Sequence, residues 1–429
     1  MKKLFLLITS ALLIVSCDNS DTILNENDGP KTSADSTVTV QETKRYDIPL
    51  TAQLKEVNEQ TQQFSFNFLR AYNDAAKSDE NFCISPFSAS ICLGMVLNGA
   101  KGNTYSEIQK VLGFEGFSNE AINAYAKTLQ TELPKLDNYT AFANANSIWL
   151  KNDIKVLSSF VDVNKDAYAA EVKSVPFNSE TLKQINDWCS EKTNKLIPTM
   201  LDNLDENMRA CLINAIYFKG PWESKFDESS TKKMSFFTAD GNEKLVSTMN
   251  QTSRLRSYLG DDVTVLELPY GNEAFSMIFF MPKNSSTTSL NELIAHLDAT
   301  QWNSWISKLT YGETELSLPT FKLASNQMDL VGTFQKLGIL DAFNIDKADF
   351  TNLCSGSLFI NKLLQKTYID VNEKGTEAAA VTLTGLCTSE GPSGETPRII
   401  KFSHPFGFVL RETSTGTILF AGKCGNPME

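Results

Sequence analysis

The stretch EKGTEAAAVTLTG, from Glu373 to Gly385, holds three alanines, two glycines and three threonines but no aromatic residue. Its valine and threonines favour an extended strand. A few residues later, SEGPSGETPR, from Ser389 to Arg398, is rich in glycine and proline, which interrupt strands. The chain therefore joins a segment that can form a strand to one that cannot.

The quoted run has the side-chain pattern of a strand that could be added to a sheet, because alternate residues of a strand share a face. Gly375, which tolerates a large change in φ and ψ, stands before it as a natural hinge. Glu377 falls on the face that can stay in water. The other face carries no charge and begins with small side chains: Thr376, Ala378, Ala380, Thr382, Thr384 and Leu386. Taken alone, the same composition also fits an alanine-rich surface loop or a short helix.

The bulk composition is that of a folded globular protein. Of the 429 residues, 41% are hydrophobic and 21% are charged, which excludes disorder for most of the chain. Lys and Arg total 39 and Asp and Glu total 51, a formal net charge of −12. There is no internal repeat, mid-chain linker or stripe dense in Lys and Arg. We therefore expect one large domain, a monomer, with no nucleic-acid partner.

The N-terminus is typical of a targeting segment. Two lysines precede a mostly apolar core over residues 4–15, which is too short to span a bilayer. The core runs into IVSC, ending at Cys17, which resembles the lipobox of bacterial lipoproteins. We predict a signal peptide over 1–16, lipidation of Cys17 and a flexible polar tether over 17–49, followed by a single domain over 50–429. An ordinary secretion signal with a chance cysteine is the alternative.

The other cysteines predict neither a disulfide framework nor a metal site. Seven of the eight cysteines follow Cys17, an odd number with no C-x-x-C spacing. We expect no metal and no cofactor. Most of these cysteines stand in apolar text and are predicted to be small buried hydrophobic residues: Cys83, Cys92, Cys189, Cys211 and Cys354.

The domain changes character along its length. Helical spacing dominates up to about residue 193 and returns over 289–309 and 328–337. After Lys219, runs of β-branched and aromatic residues bounded by turns predict strands over 263–268, 275–281, 313–321, 358–371, 399–410 and 417–424. Helices first and strands later predict an α+β fold rather than alternating βαβ units.

A hydrolase has little support in the sequence. The chain has two histidines, of which His296 stands in a helical pattern and His404 precedes a proline. The motifs G-x-S-x-G, H-E-x-x-H and the phosphate-binding P-loop do not occur. A dyad of Cys387 with His404 stays open, but nothing beside Cys387 would lower the pKa of its thiol. We expect the protein not to be an enzyme.

Seven segments, in chain order, together resemble the serpins, a family of serine protease inhibitors. Any one of these segments alone would be weak evidence for the resemblance, but the set covers the chain from about residue 50 to its end. They are NFCISPFSASICLGMVLNGAKGNTYSEI (81–108), INAIYFKGPWESKF (213–226), LELPY with SMIFFMP (266–282), LPTFKL (318–323), VNEKGTEAAAVT (371–382), HPFGFVL (404–410) and ILFAGKCGNP (418–427).

The resemblance implies a serpin fold: large, mostly antiparallel central sheets, eight or nine helices, and an exposed reactive loop over about 373–398. It also implies the roles of particular residues. Ser85, Ser88, Asn214 and Gln365 match the polar residues under the sheet where its strands part, and Trp222 matches the tryptophan near the point of first insertion. Gln365 stands where many members have His, so we expect no histidine-based pH switch. The hinge residues are Glu373, Gly375, Thr376, Glu377, Ala378, Ala379 and Ala380.

The family spacing puts the bond that a protease would cut between Ser389 and Glu390, with Thr388 and Cys387 as alternatives for the residue before the cut. Residues 377–397 contain no Lys or Arg, which a trypsin-like protease needs. Small residues at the cut favour elastase-like or subtilisin-like proteases. Leu386 before Cys387 would also suit a papain-like cysteine protease.

The function implied by the resemblance is irreversible inhibition of serine proteases through a covalent complex with the target protease. The cleaved reactive loop would insert into the central sheet as a strand. Together with the lipid anchor at Cys17, this predicts an inhibitor exported across the inner membrane and held on a bacterial envelope, at the outer membrane or cell surface. The alternative is a serpin-fold binding protein without inhibitory activity.

Overall fold

The computed structural model describes residues 44–77, 80–205, 208–324, 328–376 and 396–428. All of these residues fall in one structural unit, Val40–Glu429. The predicted signal segment and most of the tether lie outside the described residues. No helix within the described ranges has the length and apolar character needed to cross a membrane.

Nine α-helices lie in the described residues, most of them before residue 200. Side chains cap the first turns of several: Thr51, Ser85, Ser118 and Asn178 each accept a hydrogen bond from a backbone N–H. The helices are α1 Ala52–Asn73, α2 Pro86–Leu97, α3 Gly102–Leu112, α4 Asn119–Glu132, α5 Ser158–Tyr168, α6 Ser179–Lys192, α7 Leu290–His296, α8 Ala299–Ser307 and α9 Val331–Leu337.

Seventeen strands lie in the described residues, most of them after residue 200. They are β1 Phe82–Ile84, β2 Ala141–Lys151, β3 Glu171–Val175, β4 Ala210–Pro221, β5 Lys232–Phe237, β6 Glu243–Leu259, β7 Val263–Tyr270, β8 Phe275–Pro282, β9 Thr310–Pro319, β10 Phe321–Ala324, β11 Met328–Asp329, β12 Lys362–Lys366, β13 Tyr368–Asn372, β14 Gly375–Thr376, β15 Arg398–Lys401, β16 Phe406–Glu412 and β17 Ile418–Cys424. The α+β class is confirmed.

The strands form two sheets. The nine-stranded sheet has the order β1-β17-β16-β8-β7-β6-β9-β15, with β5 added to β6. The eight-stranded sheet has the order β10-β13-β14-β4-β12-β11, with β2 added to β4 and β3 to β2. Three strand pairs in the described residues are parallel (β4 with β12, β2 with β3, β9 with β15) and the others are antiparallel. The predicted mostly antiparallel sheets are therefore confirmed.

The core lies between the sheets and around β4. Helix α2 is buried along its whole length, from Pro86 to Leu97, and contacts β17 of one sheet and β4 of the other. Helix α6 packs on the opposite side of β4, where Trp149, Ile185 and Ile213 belong to a second apolar cluster. Because β4 is covered on both faces, its residues read as an almost continuous apolar run. The buried state predicted for Cys83, Cys92, Cys189, Cys211 and Cys354 is confirmed.

The structure corrects several element boundaries. The helix predicted over 328–337 begins as the short strand β11, and the strand predicted over 313–321 is divided between β9 and β10. The helical pattern over 289–309 is two helices, because Leu297 is extended and the Asp298 side chain starts α8 by accepting a hydrogen bond from Gln301 N. The strand predicted over 358–371 is divided at Thr367 into β12 and β13. The strand predicted over 399–410 is divided into β15 and β16 by a loop that contains Pro405, which has no N–H for a ladder.

Candidate functional site

The start of the predicted reactive loop forms strand β14 of the eight-stranded sheet. Strand β14 lies between β13 and β4: Thr376 is opposite Val371 on one side and Gly220 on the other. Gly375 has φ of 142°, and a Cβ there would lie 2.1 Å from the Gly220 carbonyl oxygen. This position therefore needs glycine for both its backbone conformation and its close contact.

Thr376 is held from behind the sheet by two aromatic side chains. Its Oγ1 shares a hydrogen bond of 2.5 Å with the Tyr270 hydroxyl, and Thr376 is 1% exposed. Burial raises the pKa of Tyr270, so its hydroxyl stays protonated. Trp222 stacks on Tyr270 with 4.4 Å between ring centroids and donates from Nε1 to the Asn372 carbonyl. Thr376 is therefore fixed by a neutral hydrogen bond to Tyr270, whose ring stacks on Trp222.

A short segment after β4 forms hydrogen bonds and an ion pair with the hinge residues Glu373 and Lys374. The Phe226 N–H donates to the Glu373 carbonyl, and the Thr231 hydroxyl donates to Glu373 Oε1 at 2.7 Å. Lys374 forms a 3.1 Å ion pair with Glu228, which lies in the 3₁₀ turn Glu228–Ser230; both side chains are about half exposed or more. Lys374 therefore lies on the solvent side of the hinge.

Below the hinge, β12 and β4 pair with each other directly and in parallel, with Gln365 opposite Asn214. A loop that continued beyond Thr376 between β13 and β4 would reach this pair next. The two strands would have to separate before the loop could advance. Counted from Thr376, such a loop would first meet the pairing of Lys366 with Ala215 and then the hydrogen bonds at Gln365 and Asn214.

The predicted polar residues meet at this point, and we call Ser85, Ser88, Asn214 and Gln365 the polar cluster. Ser85 N donates to Gln365 Oε1 at 2.8 Å, and Gln365 Nε2 donates to the Ser85 carbonyl at 3.0 Å and to Ser88 Oγ at 3.2 Å. Ser88 Oγ also donates to Asn214 Oδ1. All four residues are buried, so their hydrogen bonds satisfy groups that would otherwise be costly to remove from water.

The sequence missed two members of this network. Asn214 Nδ2 donates to Asn144 Oδ1 at 2.7 Å and to Asn146 Oδ1 at 2.6 Å, both on β2. The only signal was that the strand-like run 141–150 carries two asparagines at alternate positions, which places both on one face. Trp222, which was expected near the point of first insertion, directly follows β4 and lies beside the hinge, where its Nε1 donates to the Asn372 carbonyl.

Comparison with known proteins identifies the family. The family model described as "Serpin (serine protease inhibitor)" matches residues 59–427. The chain belongs to the serpin family. Serpin B6 of Pongo abelii is 33% identical over 374 residues, which cover 85% of this chain and 97% of the relative. The leukocyte elastase inhibitor of Xenopus laevis is 32% identical over 377 residues, with the same two coverages.

A solved structure supports the serpin fold independently. The thermophilic serpin tengpin in its native state superposes with a TM-score of 0.80 at 30% identity, covering 90% of this chain and 97% of that one. In this serpin the predicted hinge is described only as far as Thr376. The other predicted residues of the reactive loop and the lipidation site lie outside the described residues: Glu377, Ala378, Ala379, Ala380, Cys387, Thr388, Ser389, Glu390 and Cys17.

Proposed function

We propose that this serpin is an irreversible, suicide-substrate inhibitor of serine proteases, which traps the acyl-enzyme by inserting the cleaved reactive loop into the eight-stranded sheet. The observation that carries the proposal is β14, which is already paired on both sides with Thr376 buried. The remaining insertion would extend this strand rather than begin a new one, which avoids the costly first step of bringing distant segments together.

The pairing of β14 supplies a register for the inserted loop. Thr376 is opposite Gly220 of β4 and Val371 of β13. Because both pairings are antiparallel, each further loop residue would lie opposite the preceding residue of each neighbouring strand. By this count Thr382 would lie opposite Asn214 on one side and Gln365 on the other. Those two residues are opposite each other in the structure, so the two counts agree. Thr382 would therefore bring its hydroxyl to the polar cluster.

The chemistry would proceed through the protease's own mechanism. The protease serine oxygen attacks the carbonyl carbon of the residue before the cut bond, the peptide nitrogen leaves as an amine, and an ester joins protease and loop. Insertion of about 14 residues at roughly 3.3 Å each would carry the protease about 45 Å before water hydrolyses the ester. Displacement of the catalytic groups then prevents hydrolysis, because small misplacements already cost large factors in rate.

The proposed targets are elastase-like or subtilisin-like proteases, with papain-like cysteine proteases as further candidates. The absence of Lys and Arg over 377–397 argues against trypsin-like enzymes. One relative is named leukocyte elastase inhibitor, which fits the proposed preference for elastase-like proteases. We further propose export and anchoring to a bacterial envelope through Cys17, which rests on the N-terminal sequence alone.

The test is incubation of the protein with elastase-like, subtilisin-like, papain-like and trypsin-like proteases, followed by denaturing gels. The expected result is an adduct that survives denaturation with at least one of the first three enzymes and none with the trypsin-like enzyme. The released C-terminal peptide should begin at Thr388, Ser389 or Glu390 by mass. Cleavage without an adduct by all four would replace inhibition with the non-inhibitory binding function.

A further inference from the structure

A cavity of about 470 Å³, open to solvent, lies on the nine-stranded sheet beside the 3₁₀ turn Glu228–Ser230. Its walls come from β5, β6, β9 and β15. The floor is ordered: Ser317 Oγ donates to Asn250 Oδ1 at 2.8 Å, and Asn250 Nδ2 donates to the Ser230 carbonyl at 3.0 Å. The volume falls within the range of about 300–1,000 Å³ that is typical of small-molecule sites.

The charged groups around the cavity are mostly cationic. Lys232 and Lys401 both line it and are exposed, and no carboxylate of the described residues forms an ion pair with either. Glu315 is the acidic residue in the lining. The cavity therefore offers two ammonium groups against a single carboxylate.

We propose that this cavity binds a small hydroxylated oxyanion, a sugar that carries a phosphate or a carboxylate group. The Lys232 and Lys401 ammonium groups would bind the oxyanion as charge-assisted donors. Glu315 is an acceptor only and would receive hydrogen bonds from the sugar hydroxyls. Because the lining is polar, an apolar ligand would leave these groups unpaired.

The wall of the cavity is continuous with the hinge of the reactive loop. Ser230 and Lys232 line the cavity, and Thr231 between them donates its hydroxyl to Glu373. A ligand that binds only when this segment is in place stabilises the arrangement that grips the hinge. We therefore expect the bound ligand to slow loop insertion; this consequence, unlike binding itself, rests on the proposed function.

Binding is tested by isothermal titration of the full chain with glucose 6-phosphate, glucuronate and glucose. The expected result is one-to-one binding of at least one anionic sugar, weakened by added salt, and no binding of glucose. If phosphate is the preferred oxyanion, glucose 6-phosphate binds more tightly than glucuronate, and the reverse order identifies a carboxylate. Failure of both anions to bind would overturn the proposal.

Variants locate the site. Lys232→Ala combined with Lys401→Ala should weaken binding at least tenfold, because both cationic contacts are removed. Lys233→Ala removes the same charge from the neighbouring residue of β5, which does not line the cavity, and should change the affinity less than twofold. Equal affinities of the double variant and the unmodified chain would contradict the assignment.

Glu315→Gln tests whether the ligand is recognised as a sugar. The variant should bind inorganic phosphate more tightly, since a repelling charge is lost, while the preference for glucose 6-phosphate over inorganic phosphate decreases. An unchanged preference would contradict the role of Glu315. A separate experiment tests whether ligand binding in the cavity affects loop insertion. It measures the trapping rate of an elastase-like protease with and without saturating ligand. If the ligand binds but the rate does not change, only the link between the cavity and the hinge is refuted.

Discussion

The two sheets of this serpin bury polar groups of different kinds. In the eight-stranded sheet the buried groups are the neutral hydroxyls and amides of the polar cluster, located where β4 meets β12. In the nine-stranded sheet Glu267 is buried with Arg411, at 2.8 Å, and with Arg256 and Ser276. One sheet therefore has exchangeable neutral hydrogen bonds at its centre and the other a buried ion-pair network.

The difference bears on which sheet would open under the proposed function. A hydroxyl or amide that loses one neutral partner can accept another, so an inserted Thr382 would take up bonds that Asn214 and Gln365 release. An ion that loses its partner inside a protein costs several kcal/mol. We therefore expect the eight-stranded sheet to open during the proposed insertion and the nine-stranded sheet to stay closed. Four substitutions test this contrast.

The largest effect is expected for Thr376→Arg. The change forces a cation into the pocket formed by Tyr270 and Trp222, where a buried unpaired charge is not tolerated. The reactive loop should then be cut without insertion, and the protein should turn from inhibitor into substrate. We expect at least a tenfold loss of adduct on denaturing gels.

Thr376→Ser is the matched control, because it keeps the hydroxyl that bonds Tyr270, and it should trap protease at nearly the original stoichiometry. A Thr376→Arg variant that trapped protease as efficiently as this control would refute insertion at β14.

Glu267→Gln tests the closed sheet. The change leaves Arg411 buried without its counter-ion and should destabilise the fold by about 3–5 kcal/mol, measured by chemical unfolding. Burial opposes ionisation of Glu267, but Arg411 and Arg256 outweigh it and lower the pKa of this carboxyl. Since the folded pKa is below the unfolded one, the stabilisation is present above the unfolded pKa and is lost as the pH falls through the folded pKa.

The advantage of the unmodified protein over Glu267→Gln should therefore shrink in acid. Glu228→Gln, which alters an exposed ion pair, is the control and should change stability by less than about 1 kcal/mol. A difference between Glu267→Gln and the unmodified protein that was independent of pH would contradict the ionic role of Glu267.

Thr382→Val tests the register of the inserted loop. In the cleaved form Thr382 would lie between Asn214 and Gln365, so loss of its hydroxyl should cost about 1–3 kcal/mol there, while the intact form is unaffected. Thermal unfolding of both forms measures this.

Thr384→Val is the control for this register, because the same count puts residue 384 between Leu212 and Leu363, which are apolar and buried. That variant should leave the cleaved form unchanged or slightly more stable. Equal losses of stability in the two variants would show that the register is wrong.

The smallest effect is expected for Lys374→Ala. Its ion pair with Glu228 is exposed, and such pairs contribute roughly 0–1 kcal/mol. The melting temperature should stay within about 1 °C, and the trapping rate within twofold. Thr231→Val, which removes the partly buried hydrogen bond to Glu373, should have the larger effect on the rate. The reverse order would mean that the ion pair, rather than the hydrogen bond, holds the hinge.

The sequence was sufficient for the fold class, because it contains motifs shared with a known family. Ser85, Ser88 and Asn214 of the polar cluster stand in those motifs, whereas Gln365 stands outside them. It was insufficient where distant segments meet. Tyr270 ends a strand in the motif LELPY, but only the tertiary structure brings its hydroxyl to Thr376, 106 residues away. Thr231 and Glu228 stand in a polar stretch of sequence that gives no sign of contact with the hinge. Only the folded structure shows their contacts with Glu373 and Lys374.

The boundary errors have local causes of the same kind. Residues 289–309 keep a helical apolar pattern across Leu297, because Leu297 is buried like its neighbours although its backbone is extended. Periodicity reports which side chains are buried and does not report where the backbone leaves the helix. The Asp298 cap was the signal that could have divided the segment.

The central claim is that the cleaved reactive loop becomes a strand between β13 and β4. Its most direct test compares the thermal unfolding of the intact protein with that of protein cut between residues 385 and 390, confirmed by mass. A zinc metalloprotease is suited to the cut, because it forms no acyl-enzyme that could be trapped. About ten further paired residues, at roughly 1 kcal/mol for each hydrogen bond, should raise the melting temperature by about 10 °C or more. A cleaved protein that unfolds at or below the temperature of the intact one would contradict insertion.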